Sequence, residues 1–246
     1  IDIQSSPLHQ SFFDANPEKR MIIGCLVLCL LLILSALVYA SYSIKAGIYL
    51  RSFCQKQTAE KIVSLTFDDG PDSVQTPKVL EVLKAYQVNT CFFCIGKQIK
   101  GNEKLLQQMI AEGHLIGNHS YTHSALFPVY PLSKMKKDLQ TCQSELEQVT
   151  SQPVTLFRPP FGVTNPTIAK AVRQLGYTSI GWNIRTLDTQ QHAPEQILRR
   201  IRKRLTPGSV ILLHDRMPDS DLLVKQILDL LKEQEYTVVR LDKLWT

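Results

Sequence analysis

The segment Lys61-Ile-Val-Ser-Leu-Thr-Phe-Asp-Asp-Gly-Pro71 decides the fold. Its first seven residues form a short apolar run rich in β-formers and predict a strand over 61–67. Asp68-Asp69-Gly70-Pro71 then stops it with residues suited to a tight turn. Such a turn can present both carboxylates at the strand's carboxyl end. Like charges on consecutive residues repel unless something positive offsets them, and a metal on one and an arginine near the other would do so.

The same alternation continues to the end of the chain. Strands are predicted over 89–94, 115–117, 154–157, 177–182, 209–213 and 236–241. Helices are predicted over 77–86, 103–112, 133–150, 166–175, 195–205 and 222–233. Strand–helix alternation implies an α/β fold with a parallel sheet or a (β/α) barrel, in which chemistry collects at the carboxyl ends of strands. The sequence obeys that rule. Asp68-Asp69, Asn118-His119, Arg158-Pro159-Pro160, Trp182-Asn183 and His214-Asp215 each close a predicted strand.

Asp69, His119 and His123 offer one carboxylate and two imidazoles. A four-residue spacing on one helical turn would bring both rings to a common point. Three protein ligands leave positions open for water and substrate, as a catalytic metal site requires. Two histidines at this spacing are often merely structural; the other strand-end groups are what raise the metal reading above that.

Upstream, Met21 to Tyr42 carries no charge. About 20 residues at 1.5 Å rise cross a bilayer's hydrocarbon core, and this run has no polar face. It reads as a transmembrane helix or signal anchor over 21–43, behind a polar segment 1–20 and ahead of a linker 44–59. A cleavable signal peptide is the alternative, since Val38-Tyr39-Ala40 suits a signal peptidase; the length of the run favours the anchor. Flanking charge does not orient it, because Lys19 and Arg20 precede it while Lys45, Arg51 and Lys56 follow.

The net charge is +6. Residues 1–44 hold Lys19 and Arg20 against Asp2, Asp14 and Glu18, a net of −1, so the rest carries +7. That suits an anionic cell surface or wall. The basic run Arg199 to Arg204 sits in a helical pattern and reads as a solvated face and last turn; no nucleic-acid recognition motif accompanies it. Of the 6 cysteines, Cys25 and Cys29 fall in the apolar run. Cys91 and Cys94 point to opposite faces of a strand and read as core. Cys54 and Cys142 remain as possible disulfide partners.

Thr66-Phe-Asp-Asp-Gly-Pro71, His119-Ser-Tyr-Thr-His123, Arg158-Pro-Pro-Phe-Gly162 and Leu212-Leu-His-Asp215, in that order and spacing, resemble the motif series of the polysaccharide deacetylases (carbohydrate esterase family 4, the nodulation-deacetylase homology domain). The resemblance covers about residues 60–244, within a domain taken as 60–246. It implies a distorted (β/α) barrel and metal-dependent hydrolysis of N-acetyl groups on a cell-surface or cell-wall glycan containing N-acetylglucosamine. It casts Asp68 as catalytic base, Asp69, His119 and His123 as ligands of zinc (or cobalt or nickel), and Arg158 as the residue holding the base. His214 becomes the acid for the leaving amine, Leu212 the lining of the acetyl pocket, and the Phe161 backbone N–H an oxyanion donor. Trp182 and Arg185 join Phe161 and Leu212 as substrate-binding residues. An extracytoplasmic domain is implied, membrane-anchored or exported, with the glycan and the membrane as partners and no nucleic acid.

One motif departs from the family pattern. Where the family often has Asp-x-x-Asp-Trp, with the first Asp supporting the histidine, this chain has Arg185 and Thr189 in place of that Asp and the Trp. An arginine beside His214 would disfavour its protonated form. Either Asp188 tunes His214 instead, or the acid step is weakened. Two rival readings share the fold: an O-acetyl esterase, and a non-catalytic glycan-binding domain.

Overall fold

The computed structural model describes residues 17–190 and 193–245. Most of the expected polar segment 1–20 lies outside them.

The sheet is built outward from β1 (Ile62–Asp68), which is buried along nearly its whole length. Its neighbours are β2 (Cys91–Cys94) and β7 (Ser209–His214). The order runs from β5 (Thr178–Ser179) through β4 (Leu156–Phe157), β3 (Leu115–Asn118), β2, β1 and β7 to β6 (Ile184–Arg185), and every pairing is parallel. β8 (Thr237–Val238) pairs with the start of β1. Register places Asp68 opposite both Phe93 and His214, so the polar strand ends meet at one end of the sheet.

Period-two alternation assigns the two faces. Phe92 and Cys94 face the helices, with Phe67 stacked on Phe92 at 4.9 Å. Cys91 and Phe93 face a second cluster with Leu156, Ile180 and Val210, closed by Leu241 and Leu244. The surrounding helices are α2 (Gln75–Ala85), α3 (Glu103–Ala111), α4 (Leu132–Thr150), α5 (Pro166–Leu175), α6 (Pro194–Arg204) and α7 (Ser220–Glu233). Helix α5 shows how local sequence sets its ends. The Asn165 side chain accepts from the Ile168 N–H, Pro166 opens the first turn, and Gly176 closes it at φ 73°.

Three expectations need correction. The strand expected over 177–182 stops at Ser179, because the buried Arg158 guanidinium takes the Ile180 and Gly181 carbonyls. The strand expected over 236–241 is two residues long and gives way to a short helix, α8 (Leu241–Trp245). The stretch 44–59 is not a free linker. Phe53 pairs with Ile180 beyond β5 and Gln55 with Ser209 on β7, so the strap fills the seam between the two ends of the curled sheet. Ile44, Leu50 and Cys54 are the side chains that the strap buries. Full burial of one such aliphatic side chain contributes about 1.5–3 kcal/mol, enough for several together to hold a strap down.

All six cysteines are free. Cys54 and Cys142 are each buried against a different carbonyl, that of Ile44 and that of Cys94, so the pairing left open for them is not made. Ahead of the strap, α1 (Pro17–Tyr42) is exposed from Met21 to Val38 and becomes buried only at Ala40.

Candidate active site

The site begins at the turn after β1. Asp72 accepts from the Val74 and Gln75 N–H groups and shapes the entry to α2. Asp69 sits at φ 72° and Gly70 packs against the buried Asp215 carboxylate, where a Cβ would collide. Burial pushes Asp215 up to about 7, and it accepts a hydrogen bond from Thr76 Oγ1 at 2.5 Å. Glycine is therefore a steric requirement at position 70.

The two aspartates part company here. Asp68 Oδ1 takes Arg158 Nη1 at 2.7 Å. That guanidinium is wholly buried; it also donates to Thr66 Oγ1 and to the Ile180 and Gly181 carbonyls, and lies over the Phe93 ring. Asp69 Oδ1 faces His119 Nε2 at 3.5 Å and His123 Nε2 at 3.3 Å. Ligand atoms of Asp69, His119 and His123 all lie within 4.8 Å of one another.

His119 and His123 are not on a helical turn as expected. The chain leaves β3 into a loop in which Ser120 and His123 have φ 66° and 45°. Asp138 on α4 fixes this loop by accepting from the Tyr121 and Thr122 N–H groups and the Thr122 hydroxyl, while Ser120 Oγ accepts from the His123 N–H. The rings still come to 4.9 Å. Left-handed backbone is costly for non-glycine residues, and the site carries it at Asp69, Ser120, His123 and Phe161.

The three side chains suit a divalent ion. His119 Nδ1 lies 2.8 Å from the Arg158 carbonyl, which accepts its proton and leaves Nε2 free as a donor. Burial, then the neighbouring His119, hold His123 down to about 4, so it is an unprotonated nitrogen at neutral pH. Burial alone would raise Asp69. At the acid pH where Asp69 would take up a proton, the surrounding imidazoles, His119 foremost through its hydrogen bond and charge, then His123 and His214, outweigh burial and keep it well below the usual carboxylate range. Two nitrogens and one oxygen form a donor set that zinc and related ions accept.

His214 closes the other side. Its Nε2 is 4.0 Å from Asp69 Oδ2, and its Nδ1 is 2.9 Å from Asp188 Oδ1. Burial disfavours its charge. The hydrogen bond and charge of Asp188, with Asp68 and Asp69 beyond, prevail and raise it above its ordinary value. Of the two alternatives the sequence left open, Asp188 is the one that contacts the ring, and the net direction is upward.

These residues surround a cleft of about 490 Å³, also lined by Phe161, Trp182, Arg185, Thr189 and Leu212. Phe161 stands at φ 61°, with its ring 4.7 Å from His123. Among the described residues its N–H donates to no backbone carbonyl, which leaves it available to a ligand oxygen. Trp182 packs on Gly162, at φ 69°.

The sequence reading missed Arg216. Its Nε and Nη2 both reach Asp69 Oδ2 at 3.0 Å, opposite the oxygen that faces the histidines. It directly follows His214-Asp215, and that adjacency was the only signal available.

Residues 55–180 match the family model described as polysaccharide deacetylase. The chain is 34% identical over 194 residues to the peptidoglycan-N-acetylglucosamine deacetylase of Bacillus cereus, covering 75% of this chain and 88% of that one. This chain belongs to the polysaccharide deacetylase family. It is 32% identical over 210 residues to the peptidoglycan-N-acetylmuramic acid deacetylase PdaA of Bacillus subtilis, covering 81% and 80% of the two chains. The solved structure of Bacillus subtilis PdaA, a family 4 carbohydrate esterase, superposes on the deacetylase with a TM-score of 0.72 at 31% identity, covering 82% and 87%. The deacetylase is thus a hydrolase on the distorted (β/α) barrel of that family.

Proposed function

We propose that the deacetylase removes N-acetyl groups from amino sugars of a cell-wall glycan, outside the cytoplasm, with α1 as its membrane anchor. The observation that carries this reading is the separation of Asp68 from Asp69. One carboxylate is held by Arg158, and its neighbour faces two histidines. Relatives named for peptidoglycan deacetylation support the substrate class.

Asp69, His119 and His123 would hold a divalent ion, zinc foremost, which would supply Lewis acidity to the site. The remaining work belongs to the chain. Asp68, kept in place by Arg158, accepts the proton of the attacking water. The Phe161 N–H donates to the oxyanion of the tetrahedral acetamide carbon. Leu212, buried at the cleft floor, takes the acetyl methyl, and Trp182 and Arg185 contact the sugar. An amide's amine leaves poorly unless protonated, so His214, whose protonated form Asp188 favours, donates to the nitrogen as the C–N bond breaks.

The test is acetate release from N-acetylated peptidoglycan fragments and from O-acetylated xylan, each with and without chelator. Chelator-sensitive release from the fragments is expected. Release from the O-acetylated polymer alone makes the protein an esterase, and no release from either makes it a non-catalytic binder.

A further inference from the structure

The end of α1 is fastened to the catalytic loop. The Thr164 N–H donates to the Ser41 carbonyl at 2.9 Å and its hydroxyl to the Ala40 carbonyl at 3.3 Å. Ala40 is 3% exposed, and Ile44 packs against Gly181, where a Cβ would lie 3.2 Å from it. Beyond Ile44 the chain stays docked: Phe53 N–H to the Ser179 carbonyl, Gly181 N–H to the Phe53 carbonyl and Lys56 N–H to the Gly208 carbonyl, each at 2.9 Å. No loose segment separates the helix from the barrel, so a pivot there would first have to break these bonds and expose Ile44.

Thr164 also lies close to the chemistry. It follows Phe161 by three residues, at most about 11 Å of extended chain. The apolar run from Met21 to Ala40 spans about 30 Å as a helix, the thickness of the hydrocarbon core. Its last residue is the one docked beneath Thr164. Tyr39 and Tyr42 stand exposed at that level, as aromatic side chains do at a membrane interface. If α1 crosses a bilayer, one wall of the cleft therefore stands about 1 nm from its surface and cannot swing away.

From this we infer that the cleft is fixed at the membrane surface and that its substrate is an acetylated glycan chain carried on a membrane lipid, rather than a strand held farther out. This rests on the anchored-deacetylase reading above and narrows its substrate. Confinement of both partners to one surface raises their effective concentration, and a site that cannot reach a distant strand gains nothing from it.

The test uses the full chain in lipid vesicles. One N-acetylglucosamine oligosaccharide is presented three ways: free, coupled directly to a phospholipid headgroup, and coupled through a polyproline spacer of about 20 residues, roughly 60 Å long. The directly coupled glycan is expected to lose acetate at least about tenfold faster than the spaced one. A second protein carries a Gly-Ser segment of about 20 residues between Val38 and Tyr39, which frees the barrel but leaves the Ala40 and Ser41 contacts intact. It is expected to recover the spaced substrate while matching the parent on the free one. Equal rates on the coupled and spaced glycans by the parent protein, or activity on the free one alone, overturns the inference. Failure on all three overturns the deacetylase reading instead.

Discussion

Asp188 holds His214 at two points: Oδ1 lies 2.9 Å from the imidazole Nδ1, and Oδ2 accepts the His214 backbone N–H at 2.7 Å. Thr186 Oγ1 donates to the same Oδ1, so the carboxylate is fixed before it meets the ring. The grip orients Nε2 towards the cleft and favours the protonated ring. A general acid raised above its ordinary pKa stays competent to higher pH, and activity is lost as pH climbs through that raised value. Asp188→Asn should therefore move the alkaline limb of kcat/KM to lower pH, with kcat down about 10-fold or more. Arg185→Asp should leave the limb in place. A pH series on one acetylated oligosaccharide checks both, and a limb that follows Arg185 rather than Asp188 rejects the assignment.

Base and metal ligand should separate by mutation. Asp68→Asn is expected to keep a divalent ion and lose about 100-fold or more of turnover. Asp69→Ala and the double variant His119→Ala/His123→Ala are expected to lose the ion as well. Elemental analysis after chelation and reloading measures the first property, and acetate release the second. Metal retained by Asp69→Ala but lost by Asp68→Asn would reverse the two roles.

Arg216 fixes the outer oxygen of Asp69 and so presents the inner one to the histidines. Outer contacts of this kind typically matter 10- to 100-fold in metal affinity. Half-exposure of Arg216 screens its charge, so orientation should prevail over repulsion of the cation. Arg216→Gln should weaken zinc binding by roughly tenfold, read by titration calorimetry on the metal-free protein. Tighter binding would mean that the guanidinium acts mainly as a competing charge.

Gly162 combines φ 69° with the Trp182 ring 2.5 Å from where a Cβ would be. Gly162→Ala should cost about 1–3 kcal/mol, a fall of several degrees in Tm. It should also raise KM, because Trp182 must shift within the cleft. An unchanged Tm with the glycan bound normally would show that the indole moves freely.

Much of this protein was legible in the chain because the signals were local. The 61–67 strand, the Asp-Asp-Gly-Pro turn and the 166–175 helix rest on side-chain period, turn residues and caps, which act over a few neighbours. Once strands alternate with helices, parallel pairing carries every strand's carboxyl end to one side, and Asp68, His119, Arg158 and His214 meet there. Spacing misled where tertiary contacts override it. His119 and His123 meet through a loop held by Asp138, which lies 15 residues beyond His123. The 177–182 strand is cut short by a guanidinium that comes from the end of β4. The Asp188–His214 grip, the Arg216–Asp69 contact and the docking of the 44–56 strap in the barrel seam were decided only by the folded structure. Each joins groups whose approach depends on how the sheet curls, and no period or motif along the chain encodes that distance.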